Sequence, residues 1–461
     1  MRLPLLARES FARRRAALGA ALNGQPALLA AGWPRPRNYP ANSYPFRPHS
    51  HFLYFLGWGS PGAMALFEGD TVTLFLAPGS PDDALWSGPS LAPAGIGAAL
   101  GVSVASLEEL DRRLAGRRGD VATLPAPDAE TRLQQGTALG RALPAARLDG
   151  IDAVLADAVI GLRLIHDREA IAELRRAAES TAWAHRAGMR VTEPGIRESV
   201  VCAAMEAELT ARGCATAYGS IVTVHGEILH NEAHHNFLER DDLLLADVGA
   251  ETEAGWAGDV TRTWPVAGSY SSEQADLYDV VLGAQRAAIA AVGPGVEYRD
   301  IHALATRSLA TGLRDLDVLQ GDPAERALDG TAALLFPHGV GHLLGLDVHD
   351  MEDLGDRAGY ASGRHRSTNA GTRYLRLDRT LAAGMAVTIE PGLYFVPALL
   401  DDTDVRRQTA GRVNWARLDR YRRIRGIRIE DDVLVTPGGA EVLTAAIPKT
   451  RGEIETVLTN R

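Results

Sequence analysis

Acidic side chains interrupt apolar segments of the sequence at four places, and each of them could do chemistry. Asp247 ends the run LLLAD, and Asp259 precedes the strand-like run VTRTWPV. Glu390 ends AVTIE, and Glu430 stands inside GIRIEDDVLV. Burial of an ionised carboxylate is costly unless the group is paired or bound to a cation. A turn or a strand-end cap explains one such residue as well as a binding site does, but the repetition favours a site.

Histidines accompany these carboxylates. The segment LLFPHGVGHLLGLDVHD contains His338, His342 and His349 among apolar residues and glycines. A single histidine on an apolar face is more often a satisfied core residue than a metal ligand. Four carboxylates with one imidazole, however, form a donor set that suits Mn²⁺, Co²⁺, Fe²⁺ or Zn²⁺. Four carboxylates exceed the charge of one divalent ion, whereas two ions about 3.5–4 Å apart would use them all. The pattern therefore predicts metal-assisted hydrolysis of an acyl bond.

The composition excludes several other kinds of chemistry. Lys449 is the single lysine among 461 residues and follows a proline, so the chain has no Walker A loop, and a Schiff-base lysine is not expected. The formal net charge of −10 argues against binding to nucleic acid or to an anionic membrane. Cys202 and Cys214 form no CxxC pair, which fits a reducing compartment. No apolar run of about 18 residues occurs, and Arg8 interrupts the first apolar stretch too early for a signal peptide, so we expect a cytoplasmic protein without a membrane span.

Hydrophobic periodicity predicts two domains with a boundary near residue 165. Residues 1–165 have the pattern of an α/β domain, and residues 166–461 that of an α+β domain. The predicted helices cover residues 9–22, 106–115, 151–165, 166–191, 272–292 and 297–312. The predicted strands cover residues 26–32, a hairpin at 64–78, and 219–224, 243–249, 259–266, 385–390 and 427–436. The Gly-, Pro- and Ala-rich stretch 77–101 is predicted to be loop.

Five sequence blocks resemble those of the proline-specific pita-bread metallopeptidases, the prolidases and aminopeptidases P. They are LLADVGAE, GDVTRTW, HGVGHLLGLDVHD, TIEPGLYF and GIRIEDDVLV, and they follow the family's order and roughly its spacing over about residues 165–450. The segment YPFRPHSHFLYFLG (44–57) is similar to the family's N-terminal domain. The resemblance implies a creatinase-like α/β domain in residues 1–165, followed by a pita-bread catalytic domain in residues 166–461. Relatives are commonly dimers or tetramers, so a homo-oligomer is expected.

The resemblance also implies a site for two divalent metal ions. The family most often uses Mn²⁺, with Co²⁺, Zn²⁺ and Fe²⁺ as alternatives. One ion would be held by Asp247, Asp259 and Glu430, and the other by Asp259, His342, Glu390 and Glu430. Asp259 and Glu430 would bridge the pair, and Glu390 would be both a ligand and a catalytic residue.

Further residues match positions of the family that surround the metal site. His230 in VHGEILHNE would line the substrate site, and His338 and His349 match two histidines behind the ligands. His349 would hydrogen-bond the substrate or transfer protons, and Arg428 would orient Glu430. Outer partners of this kind are expected because metal-binding carboxylates need hydrogen bonds that fix them.

Two features resemble prolidases more than aminopeptidases P. In TRYLRLDRTLAAGM (372–385), Arg376 matches the prolidase arginine that grips the free carboxylate of a dipeptide, although a solvated surface arginine would look the same. An insertion at 395–422 also resembles bacterial prolidases. We therefore expect hydrolysis of the bond before proline, mainly in Xaa-Pro dipeptides. The alternatives are an Xaa-Pro aminopeptidase that acts on longer peptides and, from another class, a catalytically silent pita-bread binding module.

Overall fold

The polypeptide divides into two compact units. The computed structural model describes residues 8–79, 85–86, 88, 91–144 and 148–460. The division falls between Leu164 and Ile165, with Asp353–Gly355 grouped with the first unit. Residues 1–165 and 166–461 stay our proposed domain limits.

The first unit is built on a mixed sheet, which among the described residues has five strands in the order β4-β3-β2-β1-β5. The strands are β1 (Ala27–Ala30), β2 (Met64–Glu68), β3 (Thr71–Leu76), β4 (Ser103–Ser106) and β5 (Ala122–Thr123). The predicted hairpin is confirmed, since β2 and β3 pair antiparallel, whereas β4 and β5 join the sheet in parallel. The helices of this unit span Arg8–Leu22, Ser50–Leu56, Pro93–Leu100, Leu107–Leu114, Ala129–Leu139 and Gly150–Arg163. Leu28, Leu66 and Phe75 of the sheet belong to its buried core.

The predicted loop over 77–101 is wrong at Pro93–Leu100, which forms a helix. Pro93 occupies the first turn, where its missing N–H needs no partner. Gly101 ends the helix with a left-handed conformation, φ 67°, that glycine adopts without strain. The high Gly, Ala and Pro content hid these boundary signals. Residues 80–84, 87, 89 and 90 of the stretch, and the N-terminal MRLPLLA, lie outside the described residues.

Side-chain caps fix where two of the predicted helices begin. Ser106 accepts a backbone hydrogen bond in the first turn of the helix Leu107–Leu114, as its position in the sequence predicts. The long helix predicted at 166–191 begins at Arg168, because the side chain of Asp167 caps it by accepting the amide of the third helical residue at 2.8 Å.

The second unit contains small antiparallel sheets, in keeping with the α+β prediction. Among the described residues their orders are β10-β8-β7, β11-β14-β15, β12-β13 and β6-β9. The strands are β6 (Ala215–Thr216), β7 (Ile221–Thr223), β8 (Leu243–Asp247), β9 (Ala250–Glu251), β10 (Thr261–Pro265), β11 (Ala386–Ile389), β12 (Gly392–Tyr394), β13 (Gly426–Arg428), β14 (Asp431–Thr436) and β15 (Gly439–Val442). The longer helices span Arg168–Val191, Glu198–Ala211, Ser272–Ala290, Tyr298–Asp315 and Arg451–Thr459. Shorter helices span Pro323–Leu328, Asp356–Gly359, Pro397–Leu400, Thr403–Gln408 and Trp415–Tyr421. No helix in the described part of the chain is long and apolar enough to cross a membrane.

Two neighbouring segments of the second unit each break into two strands, and the breaks lie beside each other. The strand predicted at 427–436 is two strands, because β13 and β14 are separated by Ile429 and Glu430. On the partner segment, β11 and β12 are separated by Glu390 and Pro391. Proline has no N–H for a ladder, which accounts for the break in regular pairing.

The register on both sides of this break places two acidic residues face to face. Paired Cα positions are Ile389 with Asp431 in β11–β14 and Gly392 with Arg428 in β12–β13. Both ladders therefore have one common register, which sets Glu390 opposite Glu430. Like charges directly opposite each other across a strand pair destabilise it. The fold thus creates a local need for positive charge.

A buried ion cluster lies next to Glu430 in the chain. Asp431 accepts hydrogen bonds from Arg262 Nη2 at 2.8 Å and from Lys449 Nζ at 2.5 Å. Gln285 Nε2 and Thr444 Oγ1 donate to the same carboxylate at 2.7 and 2.8 Å. Burial would raise the pKa of Asp431, but the two cations lower it, so the carboxylate stays charged. The chain's single lysine therefore has a structural partner.

Replacing Asp431 should destabilise the second unit strongly, because it leaves Arg262 fully buried without its counter-charge. We expect Asp431→Ala to lower the free energy of unfolding by about 3–5 kcal/mol. The control is Asp279→Ala, which breaks the exposed pair with Arg451 and should cost about 0–1 kcal/mol. Urea unfolding followed by circular dichroism measures both. Equal midpoints for the two variants would contradict the assignment of the buried cluster.

Candidate metal centre

One cavity of the second unit, with a volume of about 360 Å³, brings together all the site residues that the sequence predicts. They are His230, Asp247, Asp259, His338, His342, His349, Arg376, Glu390, Arg428 and Glu430. Leu229, Pro337, Gly339 and Tyr374 also line it. This volume is in the range of about 300–1,000 Å³ that small-ligand sites occupy.

The sheet β10-β8-β7 positions the two aspartates. Asp247 is the last residue of β8 and pairs with Thr261, the first residue of β10, while Asp259 lies two positions before Thr261. The amide of Glu430 donates to the carbonyl of Thr261 at 3.0 Å. This bond ties the β13–β14 break to the same end of the sheet, so that three carboxylates from separate segments meet there.

His342 is oriented with one ring nitrogen toward the carboxylates. Its Nδ1 lies 3.0 Å from the carbonyl oxygen of Leu343, and since a carbonyl only accepts, Nδ1 carries the proton. Its Nε2 lies 3.3 Å from Asp259 Oδ2 and 3.5 Å from Glu390 Oε1. The backbone therefore presents Nε2 as the ring atom available to a metal ion.

Close backbone approach at Gly341 makes this orientation achievable. The neighbouring residue His342 makes two hydrogen bonds with Thr388 of β11. The amide of His342 donates to the Thr388 hydroxyl at 3.1 Å, and the amide of Thr388 donates to the His342 carbonyl at 3.0 Å. A Cβ on Gly341 would lie 2.2 Å from the carbonyl oxygen of Thr388. Only glycine fits there, and the predicted HGVGH block therefore includes a backbone requirement beside its histidines.

Three of the five predicted ligands form a compact cluster. Of the described residues, Asp259, His342 and Glu430 each offer a ligand atom, and these atoms all lie within 4.8 Å of one another. Glu390 borders the cluster through His342 Nε2. Asp247 is joined to it through a tyrosine hydroxyl.

Tyr218 links the two aspartates. Its hydroxyl oxygen lies 2.6 Å from Oδ1 of Asp247 and 2.6 Å from Oδ1 of Asp259. Burial, followed by the charges of these carboxylates, raises the pKa of Tyr218 well above its ordinary value, so the phenol keeps its proton. One proton serves only one of the two contacts. The second contact is favourable only if a further proton or a cation lies at the carboxylates.

Thr261 joins the glutamate to the arginine of the site. Its Oγ1 donates to Glu430 Oε2 at 2.7 Å and accepts from Arg428 Nε at 2.8 Å. Arg428 thus reaches Glu430 through this hydroxyl, whereas its Nη2 donates directly to Asp247 Oδ2 at 2.6 Å. Thr261 was not among the predicted site residues, although it lies inside the GDVTRTW block.

The charges of the cluster fit divalent cations. Burial raises the pKa of Glu390 to about 7, and the Asp259 and Asp247 charges add to this effect. Burial and the neighbouring carboxylates raise the pKa of Glu430 well above its ordinary value. Burial would lower the pKa of His342, but Asp259 and Glu390 outweigh it and raise that pKa to about 9. Every one of these shifts shows a carboxylate cluster that requires protons or metal ions, and oxygen-rich sites with imidazole bind divalent metals.

A hydrogen-bonded chain runs from the arginine to one wall of the cavity. Arg428 Nη1 donates to the Tyr394 hydroxyl at 3.1 Å, and that hydroxyl lies 2.8 Å from His338 Nε2. His338 Nδ1 donates to the carbonyl of Gly339 at 2.7 Å, so Nε2 accepts from the tyrosine. Burial, followed by the charge of Arg428, lowers the pKa of His338 to about 3 and keeps the ring neutral. The ring packs between Phe336 and Tyr394 at centroid distances of 4.9 and 5.2 Å.

A second chain lies on another side of the cavity. The His349 ring packs against the His342 ring with centroids 4.1 Å apart. His349 Nδ1 lies 3.3 Å from Glu352 Oε2, and Arg376 Nη1 donates to the same oxygen at 2.7 Å. Glu352 was not among the predicted residues, because the segment after HDM has no apolar pattern to mark it.

His230 lies on an exposed segment of the cavity lining. The next residue, Asn231, donates from Nδ2 to Oγ1 of Thr223 at 3.0 Å. This bond anchors the segment to β7, whose partner β8 carries Asp247. The position of His230 relative to the metal centre is therefore set through the sheet.

Comparisons with known proteins agree with this geometry. Residues 172–437 match the model of metallopeptidase family M24, and residues 11–122 match the aminopeptidase P N-terminal domain. Xaa-Pro aminopeptidase of Escherichia coli is 31% identical, and the match covers 98% of this chain and 98% of that protein. Xaa-Pro aminopeptidase 1 of Streptomyces coelicolor is 32% identical, and the match covers 98% of this chain and 87% of that protein.

Solved structures of aminopeptidases P have the same fold as this chain. Aminopeptidase P from E. coli with the inhibitor Pro-Leu superposes with a TM-score of 0.79 at 29% identity, over 99% of both chains. Aminopeptidase PepP of Pseudomonas aeruginosa superposes with a TM-score of 0.80 at 30% identity, over 99% of this chain and 98% of that one. The predicted two-domain fold and the resemblance to pita-bread peptidases are thereby confirmed. The chain belongs to metallopeptidase family M24.

Proposed function

We propose that the protein is a metal-dependent Xaa-Pro aminopeptidase, which removes the first residue of peptides whose second residue is proline. The observation that carries this proposal is the convergence of four carboxylates and His342 on one cavity in a chain of family M24. Relatives named Xaa-Pro aminopeptidase match 98% of the chain, which supports the same activity. All predicted ligands line the cavity, so nothing favours a silent binding module.

The comparisons favour this activity over the Xaa-Pro dipeptidase that the sequence analysis expected. The geometry of Arg376 supports the same choice. Its guanidinium is paired with Glu352 at 2.7 Å, and the other arginine of the cavity, Arg428, is paired with Asp247 at 2.6 Å. A dipeptide carboxylate would therefore meet arginines whose charge is already balanced. The TRYLRLDRTLAAGM resemblance rested on the arginine alone, and the local sequence does not reveal its partner.

In the proposed site two divalent ions, Mn²⁺ first and Co²⁺, Zn²⁺ or Fe²⁺ as alternatives, share the cluster. Asp247 would hold one ion, His342 and Glu390 the other, and Asp259 and Glu430 both. When bound, such a pair supplies an activated water and the positive charge that stabilises the oxyanion of the transition state. The opposed Glu390 and Glu430 fit this arrangement, because cations between them remove the repulsion that the strand register imposes.

The remaining roles follow from positions of side-chain atoms. Glu390 borders the cluster with its carboxylate 3.5 Å from His342 Nε2, and we assign it to accept the proton of the attacking water and return it to the proline nitrogen. His349 donates from Nδ1 to Glu352, so Nε2 of the neutral ring is left to accept a hydrogen bond or a proton from the substrate. The neutral ring of His338, held from behind by the Tyr394 hydroxyl, lines the cavity as a flat wall suited to a proline ring. His230 would contact the peptide from the exposed segment.

Assembly and location complete the proposal. We propose a homo-oligomer, a dimer or tetramer, acting on proline-containing peptides in the cytoplasm. Cys202 and Cys214 are free thiols, which supports a reducing compartment. Burial raises the pKa of Cys202 to about 12, so this thiol is unreactive at neutral pH.

Removing divalent metal should abolish hydrolysis and destabilise the protein. Without cations the facing carboxylates repel or take up protons, so dialysis against a chelator should stop Xaa-Pro-Yaa cleavage, and Mn²⁺ should restore it. Ligand binding to the folded state should also raise the melting temperature on Mn²⁺ addition. Elemental analysis should find two ions per chain. Full turnover in a preparation shown to be metal-free would refute the proposal.

Asp259→Ala should lose activity and metal while remaining folded. A bridging ligand contacts both ions, so the loss in kcat/KM should exceed the roughly 10- to 100-fold that removing an outer partner costs. Asp315→Ala, which removes an exposed carboxylate paired with Arg314, is the control and should behave like wild type. Metal content and circular dichroism are measured on the same samples. Two bound ions and near-normal turnover in Asp259→Ala would show that this residue is only a strand-end group.

Substrate length separates the two peptidase activities. With the charge of Arg376 balanced by Glu352, the wild-type enzyme should cleave Xaa-Pro-Yaa with a kcat/KM at least about tenfold above that for Xaa-Pro, equivalent to about 1.4 kcal/mol. The measurement compares peptides that share the same first residue. Faster cleavage of the dipeptide would return the assignment to prolidase.

A further inference from the structure

Glu352 is placed where a substrate carboxylate would have to compete with it. Arg376 lines the cavity, and its Nη1 donates to Glu352 Oε2 at 2.7 Å. The two side chains are similarly accessible to solvent, at 37% and 38% exposed. Among the described residues, Glu352 is the one acidic group within ion-pair distance of Arg376.

The same oxygen of Glu352 also accepts from His349 Nδ1, at 3.3 Å. Two donors from different segments thus converge on a single carboxylate. The hydrogen bond from His349 and the charge of Arg376 hold the pKa of Glu352 at about 2 against the effect of burial. Glu352 is therefore ionised throughout the neutral range and balances the charge of Arg376 one to one.

We propose that Glu352 is a specificity-determining residue, which occupies Arg376 and thereby prevents this arginine from binding the C-terminal carboxylate of an Xaa-Pro dipeptide. The inference rests on the proposed aminopeptidase activity and names the group that sets its substrate length. Dipeptides carry a carboxylate directly after proline, whereas longer peptides carry a neutral peptide group there. An arginine held by Glu352 therefore disfavours dipeptides and accepts longer peptides.

Electrostatics gives the direction of the effect. A carboxylate that approaches the pair gains attraction to the guanidinium but meets the negative charge of Glu352 at the same place. Converting Glu352 to glutamine removes that charge and keeps the size of the side chain, while one of its two accepting oxygens becomes a donating NH2 group. Arg376 then becomes a free planar donor for a substrate carboxylate, in the bidentate geometry that arginine favours.

The test compares an Xaa-Pro dipeptide with its C-terminal amide, which has the same shape and no negative charge. In Glu352→Gln the ratio of kcat/KM for acid over amide should rise about tenfold or more, as expected for one new charge-assisted contact. Any effect on His349 changes both substrates together and cancels in the ratio. Arg376→Gln in the wild-type background should not raise the ratio, since it leaves the negative charge of Glu352 unbalanced, and Glu352→Gln/Arg376→Gln should return the ratio to the wild-type value.

Glu441→Gln is the matched control. Glu441 forms a similarly exposed pair with Arg175, at 2.9 Å, and its loss should leave the ratio unchanged. An unchanged ratio in Glu352→Gln, or a rise that persists in the double variant, would overturn the proposal. A higher ratio in Arg376→Gln alone would also overturn it, since Glu352 would then not be the group that discriminates against the carboxylate. The proposed function fails by a different result, a wild-type preference for Xaa-Pro over Xaa-Pro-Yaa, which is measured before any variant is made.

Discussion

Repulsion among four carboxylates in one cavity is the constraint on which the rest of this structure depends. The strand register places Glu390 opposite Glu430, and the end of β8 brings Asp247 close to Asp259. Separated carboxylates would be easier to bury, so the fold must hold these groups together against their charge. Metal ions supply the missing charge, and the fold supplies the convergence.

A shell of satisfied hydrogen bonds enforces that convergence. Asp431, directly after Glu430, accepts from Arg262 and Lys449, and these buried contacts fix the start of β14. On the other side Thr261 joins Glu430 to Arg428. Hydrogen bonds therefore hold the break between β13 and β14 on both sides, which matters because metal ligands must be held close to their productive positions. The same hydrogen bonds contribute to both stability and function, since a network that loses one partner leaves a buried charge without its counter-charge.

Much of this could be predicted from the sequence, because the proposed ligand residues interrupt apolar strands and leave a local signal. That signal gave the four carboxylates and the three histidines of the HGVGHLLGLDVHD block, whereas His230, Arg376 and Arg428 came from the family resemblance. Partners that come from distant segments left no such signal. Tyr218 lies in a stretch without a distinctive pattern, and Glu352 gains its role only from Arg376, 24 positions further on. The charge of Arg376, considered without this partner, and the insertion at 395–422 together made the sequence favour a dipeptidase. The helix at Pro93–Leu100 was missed for a related reason, since composition hid its end signals.

The most direct test of the account is a crystal structure grown with Mn²⁺ and measured at a wavelength where manganese scatters anomalously. The account predicts two anomalous peaks about 3.5–4 Å apart, with Asp259 and Glu430 contacting both. Asp247 should contact one peak only, and His342 and Glu390 the other. A single peak, or two peaks without shared carboxylates, would contradict the dinuclear centre and with it the explanation of why the fold sets Glu390 opposite Glu430.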